Sequence, residues 1–179
     1  MIPVRAAVSD DAPELARLRG VMFTAMGRAD AGDDGPWRAE SERVFRRELA
    51  RQFGAQSGSV APDRLPGAGG LVAFVVDDPE RPGRLAACAI GTLDERLPSP
   101  DTPVRLVGHV SNVCTDPDRR RRGYSRACME RLLGWFDRQG VRRVHLSATD
   151  EGEGLYRSLG FSDPGSAPMV RFSPDAPSR

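Results

Sequence analysis

Apolar positions along the chain follow two spacings, and the change between them predicts alternating helices and strands. Apolar residues three and four positions apart predict a helix ending near Met26 and a second helix over residues 36–53. The same spacing predicts a third helix from Gly123 to Gly140 and a short one at residues 155–159. Apolar or β-branched runs predict strands at residues 2–7, 71–76, 84–93, 104–115, 144–149 and 169–172.

The order of these elements sets the expected fold class. The turn at residues 77–83 predicts an antiparallel hairpin between its flanking strands. The strands at 104–115 and 144–149 are expected to be parallel, because a helix connects them. We therefore expect an α/β (α+β) fold with a mixed sheet, and a glycine- and proline-rich linker at residues 54–70.

The stretch from Leu106 to Leu133 joins a strand, an arginine-rich turn and a helix. A helix that begins near Gly123 leaves its first backbone N–H groups without intrahelical partners, at the positive end of its dipole. Glycine has no Cβ, so an anion can approach the main chain there. These features predict a backbone anion site. The alternative is that the arginine run from 119 to 122 is only a charged surface turn.

Two motifs carry a resemblance to a known family. Residues 120–125, with the sequence RRRGYS, resemble the R/Q-x-x-G-x-G/A signature of the GCN5-related N-acetyltransferase (GNAT) superfamily. Residues 154–161, GLYRSLGF, resemble the LYxxxGF element of that family. The resemblance implies a single-domain GNAT fold over residues 1–172, with a mostly antiparallel sheet, splayed parallel strands and flanking helices. Residues 173–179 are expected to form a disordered tail.

The resemblance implies acetyl-coenzyme A as the acyl donor. Backbone N–H groups of the turn and of the helix start would hold its pyrophosphate, and the edge of the preceding strand would pair with the pantetheine arm. The residues assigned to donor binding on this basis are Val113, Thr115, Arg120, Arg121, Arg122, Gly123, Tyr124, Ser125 and Arg126.

Two side chains are candidates for proton transfer. The resemblance implies that Tyr156 protonates the departing thiolate, and the alternative is a packed tyrosine that anchors its helix. His109 is the candidate base because histidine titrates in the right range, and the alternative is a satisfied histidine on a strand face. Strict alternation places Asn112 on the face opposite His109. At Thr149 the family often has asparagine, which limits how far substrate contacts can be transferred.

Composition excludes several function classes. The 26 basic residues, all arginine, nearly balance 25 acidic ones, so no net field favours nucleic acid or a membrane. Three widely spaced cysteines predict neither a disulfide framework nor a metal site. With no apolar run long enough to span a bilayer and no signal-like start, we expect a cytoplasmic protein.

The leading hypothesis is direct acetyl transfer to a primary amine of a small molecule or a peptide by a monomer or homodimer. The alternatives are a non-catalytic acyl-CoA-binding sensor and a nucleic-acid binder that uses the arginine run. The sequence leaves open the acceptor, the acyl length, the general base and the oligomeric state. An acidic loop with Asp30, Asp33 and Asp34, together with Glu40 or Glu42, would suit a cationic amine as acceptor. The alternative is that these aspartates only form a solvated loop.

Overall fold

The computed structural model describes residues 1–28, 35–53, 70–97 and 106–163, together with residues 165, 169 and 171. The chain divides into two compact units, Met1–Ser147 and Ala148–Arg179, and each is described by itself. The predicted linker at 54–70, apart from Gly70, lies outside the described residues, as do most of the acidic loop and the predicted tail at 173–179. No described helix is both long and apolar enough to cross a membrane.

The described residues of the first unit form a five-stranded sheet and three α-helices. Its strands are β1 (Arg5–Ala6), β2 (Leu71–Asp77), β3 (Leu85–Glu95), β4 (Leu106–Thr115) and β5 (Val144–Leu146), and its helices are α1 (Ala12–Ala25), α2 (Pro36–Phe53) and α3 (Tyr124–Arg138). The strand order is β1-β2-β3-β4-β5, in which only the β4–β5 pair is parallel. This is the mixed sheet that the helix between residues 115 and 144 predicts, because a parallel pair needs a crossover.

One face of the sheet, here called the α1–α2 face, packs against helices α1 and α2. Leu15 and Leu18 of α1 and Leu49 of α2 are fully buried there against Val75 and Ile90 of the sheet. Burial of each large apolar side chain stabilises the fold by about 1.5–3 kcal/mol. The apolar stripe that predicts α1 is therefore the stripe that attaches it to the sheet.

The opposite face, here called the α3 face, packs against α3. Phe136 of α3 is fully buried against two glycines of the sheet. A Cβ at Gly91 would lie 2.7 Å from Phe136 Cζ, and a Cβ at Gly108 would lie 2.9 Å from Phe136 Cε1. These glycines let α3 approach the sheet closely. The packing of α3 on the sheet also sets the position at which the chain passes from β4 into α3.

A β-bulge in β4 changes which side chains face the two helical layers. Ile90 pairs with Asn112 but the next residue, Gly91, pairs with Val110, so Ser111 is an extra residue on β4. The prediction that Asn112 faces away from His109 is therefore wrong. Because one extra residue shifts the alternation, His109 and Asn112 both lie on the α1–α2 face.

Three other sequence predictions need correction. The first strand covers only Arg5–Ala6 of the predicted 2–7, and β5 ends at Leu146, three residues before the predicted end. Ser147 therefore lies beyond the end of β5. Of the predicted strand at 169–172, the described residues Met169 and Arg171 have no strand structure.

The second unit contains α4, which spans Asp150–Ser158 and begins five residues before the predicted start. Thr149 is its N-cap, and three acidic residues occupy its first turn, Asp150, Glu151 and Glu153. Carboxylates at a helix N-terminus interact favourably with the helix dipole, which explains the earlier start. Thr149 thus caps a helix instead of extending β5.

Candidate functional site

Strand β4 is longer than its parallel neighbour, and this leaves part of one edge open. β5 pairs with β4 only at Gly108, His109 and Val110. From Ser111 to Thr115, the strand paired with β4 among the described residues is β3 alone. An extended ligand could pair with main-chain N–H and C=O groups along this edge as another strand would.

The turn from β4 to α3 exposes backbone donors at the same end of the sheet. Gly123 caps α3 in the left-handed conformation, with φ of 82°, and Arg121 also has a positive φ of 62°. The first backbone N–H to bond within the helix is that of Ala127, which donates to Gly123 O at 3.0 Å. The N–H groups of Tyr124 and Ser125 thus have no helical acceptor and form the positive end of the dipole. This arrangement fits an anion such as a diphosphate.

A hydrogen bond joins the open strand edge to the helix start. Thr115 Oγ1 lies 2.5 Å from Ser125 Oγ. Val113 and Thr115 pair with Ala89 and Ala87, so both side chains lie on the α3 face. The predicted donor-binding residues of β4, the turn and α3 therefore converge on one end of the first unit.

The arginine run divides into one buried residue and three exposed ones. Arg119 is 6 % exposed and donates through Nε and Nη2 to Asp78 Oδ1 at 3.1 and 2.9 Å. It therefore anchors the turn. Arg120, Arg121 and Arg122 are exposed at the surface of the same turn, where their charge adds to that of the helix end.

Asp78 is the centre of a buried ionic network. Its carboxylate is fully buried and also accepts from Arg81 Nε at 2.7 Å and from the N–H of Glu80 at 3.0 Å. The hydrogen bonds from Arg119 hold the pKa of Asp78 far below its usual range, although burial opposes them. The charged form is favoured, and the β2–β3 hairpin is joined to the turn before α3.

A second buried carboxylate, Asp116, extends this network to α1. Arg17 Nη1 lies 2.8 Å from Asp116 Oδ2, and Arg81 Nη2 lies 3.0 Å from Asp116 Oδ1. Burial raises the pKa of Asp116, but the hydrogen bond from Arg81 and the charge of Arg17 outweigh it and the pKa falls. Arg17 also pairs with Glu14 at 2.8 Å. Sequence reasoning missed the network because its partners are up to 99 residues apart.

His109 lies on the α1–α2 face, opposite to Val113 and Thr115. It is half-buried, and His145 of β5 is its neighbour across the parallel pair. Burial, the charges of Arg143 and Arg96, and His109 itself lower the pKa of His145, so that imidazole is neutral at pH 7. Asn112, which is 2 % exposed, donates to Cys88 Sγ at 3.4 Å on the same face.

Tyr156 lies in α4 of the second unit. Its ring makes an edge contact with Phe161, with centroids 6.0 Å apart. A Cβ at Gly152 would lie 2.9 Å from Tyr156 Cε2, so a small residue is needed one turn before the tyrosine. Among the described residues of the whole chain, His, Cys, Asp and Glu form no group that could hold a metal ion.

The profile of the acetyltransferase (GNAT) family matches residues 34–161. The chain therefore belongs to the GNAT family, and it is an N-acetyltransferase of that family. Comparison with functionally curated proteins gives no match. Members of the family typically use acetyl-CoA as the acyl donor.

Solved structures share the fold. The predicted acetyltransferase of Clostridium acetobutylicum, solved with acetyl-CoA, has a TM-score of 0.72 at 19% identity, with 96% of each chain covered. A GCN5-related N-acetyltransferase from Ralstonia eutropha JMP134 has a TM-score of 0.69 at 24% identity, covering 96% of this chain and 99% of that one. Glucosamine-6-phosphate N-acetyltransferase from Arabidopsis thaliana has a TM-score of 0.66 at 18% identity, covering 96% and 98%. The GNAT fold predicted from the two motifs is thereby confirmed.

Proposed function

We propose that this protein transfers the acetyl group of acetyl-CoA directly to a primary amine of a small molecule or a peptide. The main support is the junction of β4 and α3, where the left-handed Gly123 places helix N–H groups at the end of an open strand edge. Bound acetyl-CoA supplies a thioester, the electrophile of the reaction. A non-catalytic acyl-CoA sensor, the alternative, would use the same junction, so the tests below separate binding from turnover.

Donor binding in this proposal depends mainly on backbone. The N–H groups of Gly123, Tyr124 and Ser125 donate to the pyrophosphate, which approaches closely because Gly123 has no Cβ. The charges of Arg120, Arg121, Arg122 and Arg126 strengthen that attraction. The main chain at Val113 and Thr115 pairs with the pantetheine arm along the open edge.

Two side chains move protons in this proposal. His109 accepts a proton from the incoming ammonium group, which must be neutral before it can attack. A backbone N–H near Val113 stabilises the negative charge that develops on the carbonyl oxygen. The Tyr156 hydroxyl donates its proton to the departing sulfur, a role that the family resemblance implies and that phenol chemistry permits.

Two glycine variants test the donor site. Gly123→Ala and Gly140→Ala both place a Cβ at a positive φ, 82° and 73°, and neither Cβ meets a close contact. Both should therefore lose a similar, small free energy of unfolding, about 1–2 kcal/mol. Only Gly123→Ala should weaken acetyl-CoA binding, by about tenfold or more in calorimetry. Equal acetyl-CoA affinity in the two variants would contradict the proposed site.

A tyrosine variant tests catalysis against sensing. Tyr156→Phe should bind acetyl-CoA with unchanged affinity but release thiol at least about a hundredfold more slowly with any amine that the native protein acetylates. The measurement is thiol release across a panel of amines and peptides, with calorimetry of desulfo-CoA as the binding control. A sensor would bind desulfo-CoA and release no thiol with any acceptor, in the native protein as in the variant.

A further inference from the structure

Two arginines share one aromatic ring at the end of α1. Arg19 Cζ lies 4.6 Å from the centroid of the Phe23 ring, and Arg28 Cζ lies 5.0 Å from it. Trp37 of α2 meets the same ring edge-on, with centroids 5.4 Å apart and planes at 72°. These four residues, Arg19, Phe23, Arg28 and Trp37, are called the Phe23 cluster below. Each guanidinium gains a modest cation–π attraction from the ring.

The Phe23 cluster holds two positive charges without a counter-charge from the described part of the chain. In that part, four other half-buried or buried arginines each pair with at least one carboxylate: Arg5, Arg17, Arg81 and Arg119. Arg19 is half-buried too, yet no described carboxylate pairs with Arg19 or Arg28. Burial lowers the pKa of Arg19, and the charge of Arg28 lowers it further. An anion bound by these guanidiniums would offset this repulsion.

The cluster lies toward the strand face on which the candidate base is found. Arg19 belongs to α1, whose buried residues pack together with Cys88 on the α1–α2 face. Cys88 in turn accepts a hydrogen bond from Asn112. Asn112 and His109 flank the bulge on this same face. The cluster is thus on the side of β4 opposite to the donor-binding Thr115.

We propose that the Phe23 cluster binds an anionic group of the acceptor, so that the acceptor is an amine that also carries a carboxylate or a phosphate. The proposal rests on the acetyl transfer proposed above. A guanidinium presents its donors in a planar fork that matches both oxyanions, and two such forks over one ring fix the orientation of the anion. The amine at the other end of the acceptor then faces β4.

The carboxylates that favoured a cationic acceptor are otherwise engaged where the structure describes them. Glu40 pairs with Arg43 and Glu42 pairs with Arg46 at 2.7 Å, both along the outer surface of α2. Each pair is neutralised within its own helix. The described residues therefore favour an acceptor with negative charge over the cationic amine expected from the sequence.

Matched acceptors test the proposal. The panel contains an amino acid, its amide and an aminoalkyl phosphate, so that the carboxylate and the phosphate are separate arms. Native protein should show kcat/KM at least about tenfold higher for one of the anionic acceptors than for the amide. Arg19→Met and Arg28→Met should each remove that advantage by raising KM for the anionic acceptor, and leave KM for acetyl-CoA and kcat/KM for the amide unchanged. Arg46→Met, which removes an exposed arginine of α2, is the control and should change neither.

A binding measurement keeps the test independent of turnover. Trp37 lies at the edge of the cluster, so titration with acetate or inorganic phosphate should change the tryptophan fluorescence of native protein, and Trp37→Phe or Arg19→Met should abolish the change. Absence of thiol release with every acceptor would overturn the proposed function and not the anion site, which the titration would still report. Equal kcat/KM for the amino acid, its amide and the phosphate, with no fluorescence change, would overturn the anion site alone.

Discussion

Replacement of Asp78 by asparagine should destabilise this protein more than any conservative change at its surface. The Asp78 side chain is fully buried, and it is the buried partner of Arg119, whose side chain is 7 % exposed. Asparagine has the same shape but no charge, so the change leaves the Arg119 guanidinium in a low-dielectric site without its main carboxylate. Loss of one partner of a buried ion pair typically costs about 3–5 kcal/mol.

The structure places the expected cost near the lower end of that range. Arg119 Nη1 also lies 3.0 Å from Glu80 Oε2, and Glu80 is 63 % exposed, so part of the attraction survives. We expect a loss of about 3 kcal/mol, which is a large fraction of the 5–15 kcal/mol typical for a native domain. The neighbouring Asp77 is the matched control. Its side chain is 62 % exposed and pairs with Arg5, so Asp77→Asn should cost less than about 1 kcal/mol.

Urea unfolding of the two variants, with linear extrapolation, measures both losses. The network also holds the turn before α3, so Asp78→Asn should raise KM for acetyl-CoA more than it lowers kcat, while Asp77→Asn leaves KM unchanged. A loss of stability for Asp78→Asn within 1 kcal/mol of the Asp77→Asn loss would refute the reasoning that burial makes the Asp78–Arg119 pair costly to break.

Three further outcomes follow from the same structure. Because the folded-state pKa of Asp78 is depressed, the stability that its charge contributes is present above its ordinary pKa of 3.8 and is lost as the pH falls further. In urea unfolding at a series of acidic pH values, the free energy of unfolding of Asp78→Asn should therefore fall less steeply than that of the native protein. Gly108→Ala should lower the free energy of unfolding by about 1–3 kcal/mol in the same assay, because its Cβ would overlap Phe136. Gly134→Ala is the control: its Cβ would meet only Arg138 Nη1, at 3.6 Å, so this change should be neutral or stabilising. Burial raises the pKa of Cys128 to about 12, so its thiol should react with a disulfide reagent at pH 8 only at the rate of unfolding. Labelling of Cys128 in the folded protein faster than unfolding would contradict that burial.

Local signals in the sequence were enough to predict α2 and the start of α3, and they are also the basis of the proposed donor site. Residues 36–53 form α2 as predicted, because apolar spacing and a proline at the first helical position are both local features. Gly123 caps α3 for the same kind of reason, since a left-handed position before a helix favours glycine. The residues proposed to bind the donor follow each other within 14 positions, so one motif could suggest them together.

Long-range features could not be predicted from one sequence. The bulge at Ser111 leaves no mark in the alternation of apolar residues, so Asn112 was assigned to the wrong face. The pairing of Arg119 with Asp78 spans 41 residues and depends on the hairpin reaching the turn. For that reason the sequence did not distinguish Arg119 from the exposed arginines at 120–122, although the fold buries it against a carboxylate.

Two arginines of α1 show how the fold, and not the residue type, sets the chemistry of a side chain. Arg17 and Arg19 are two residues apart, so they project about 200° apart around the helix. Arg17 forms ion pairs with Glu14 and Asp116 and so helps to fix the turn before α3. Arg19 turns to Phe23, where no described carboxylate meets it. In the two proposals, one helix therefore supports the turn before α3 through Arg17 and presents Arg19 to the acceptor, and His109 lies on the face of β4 against which this helix packs.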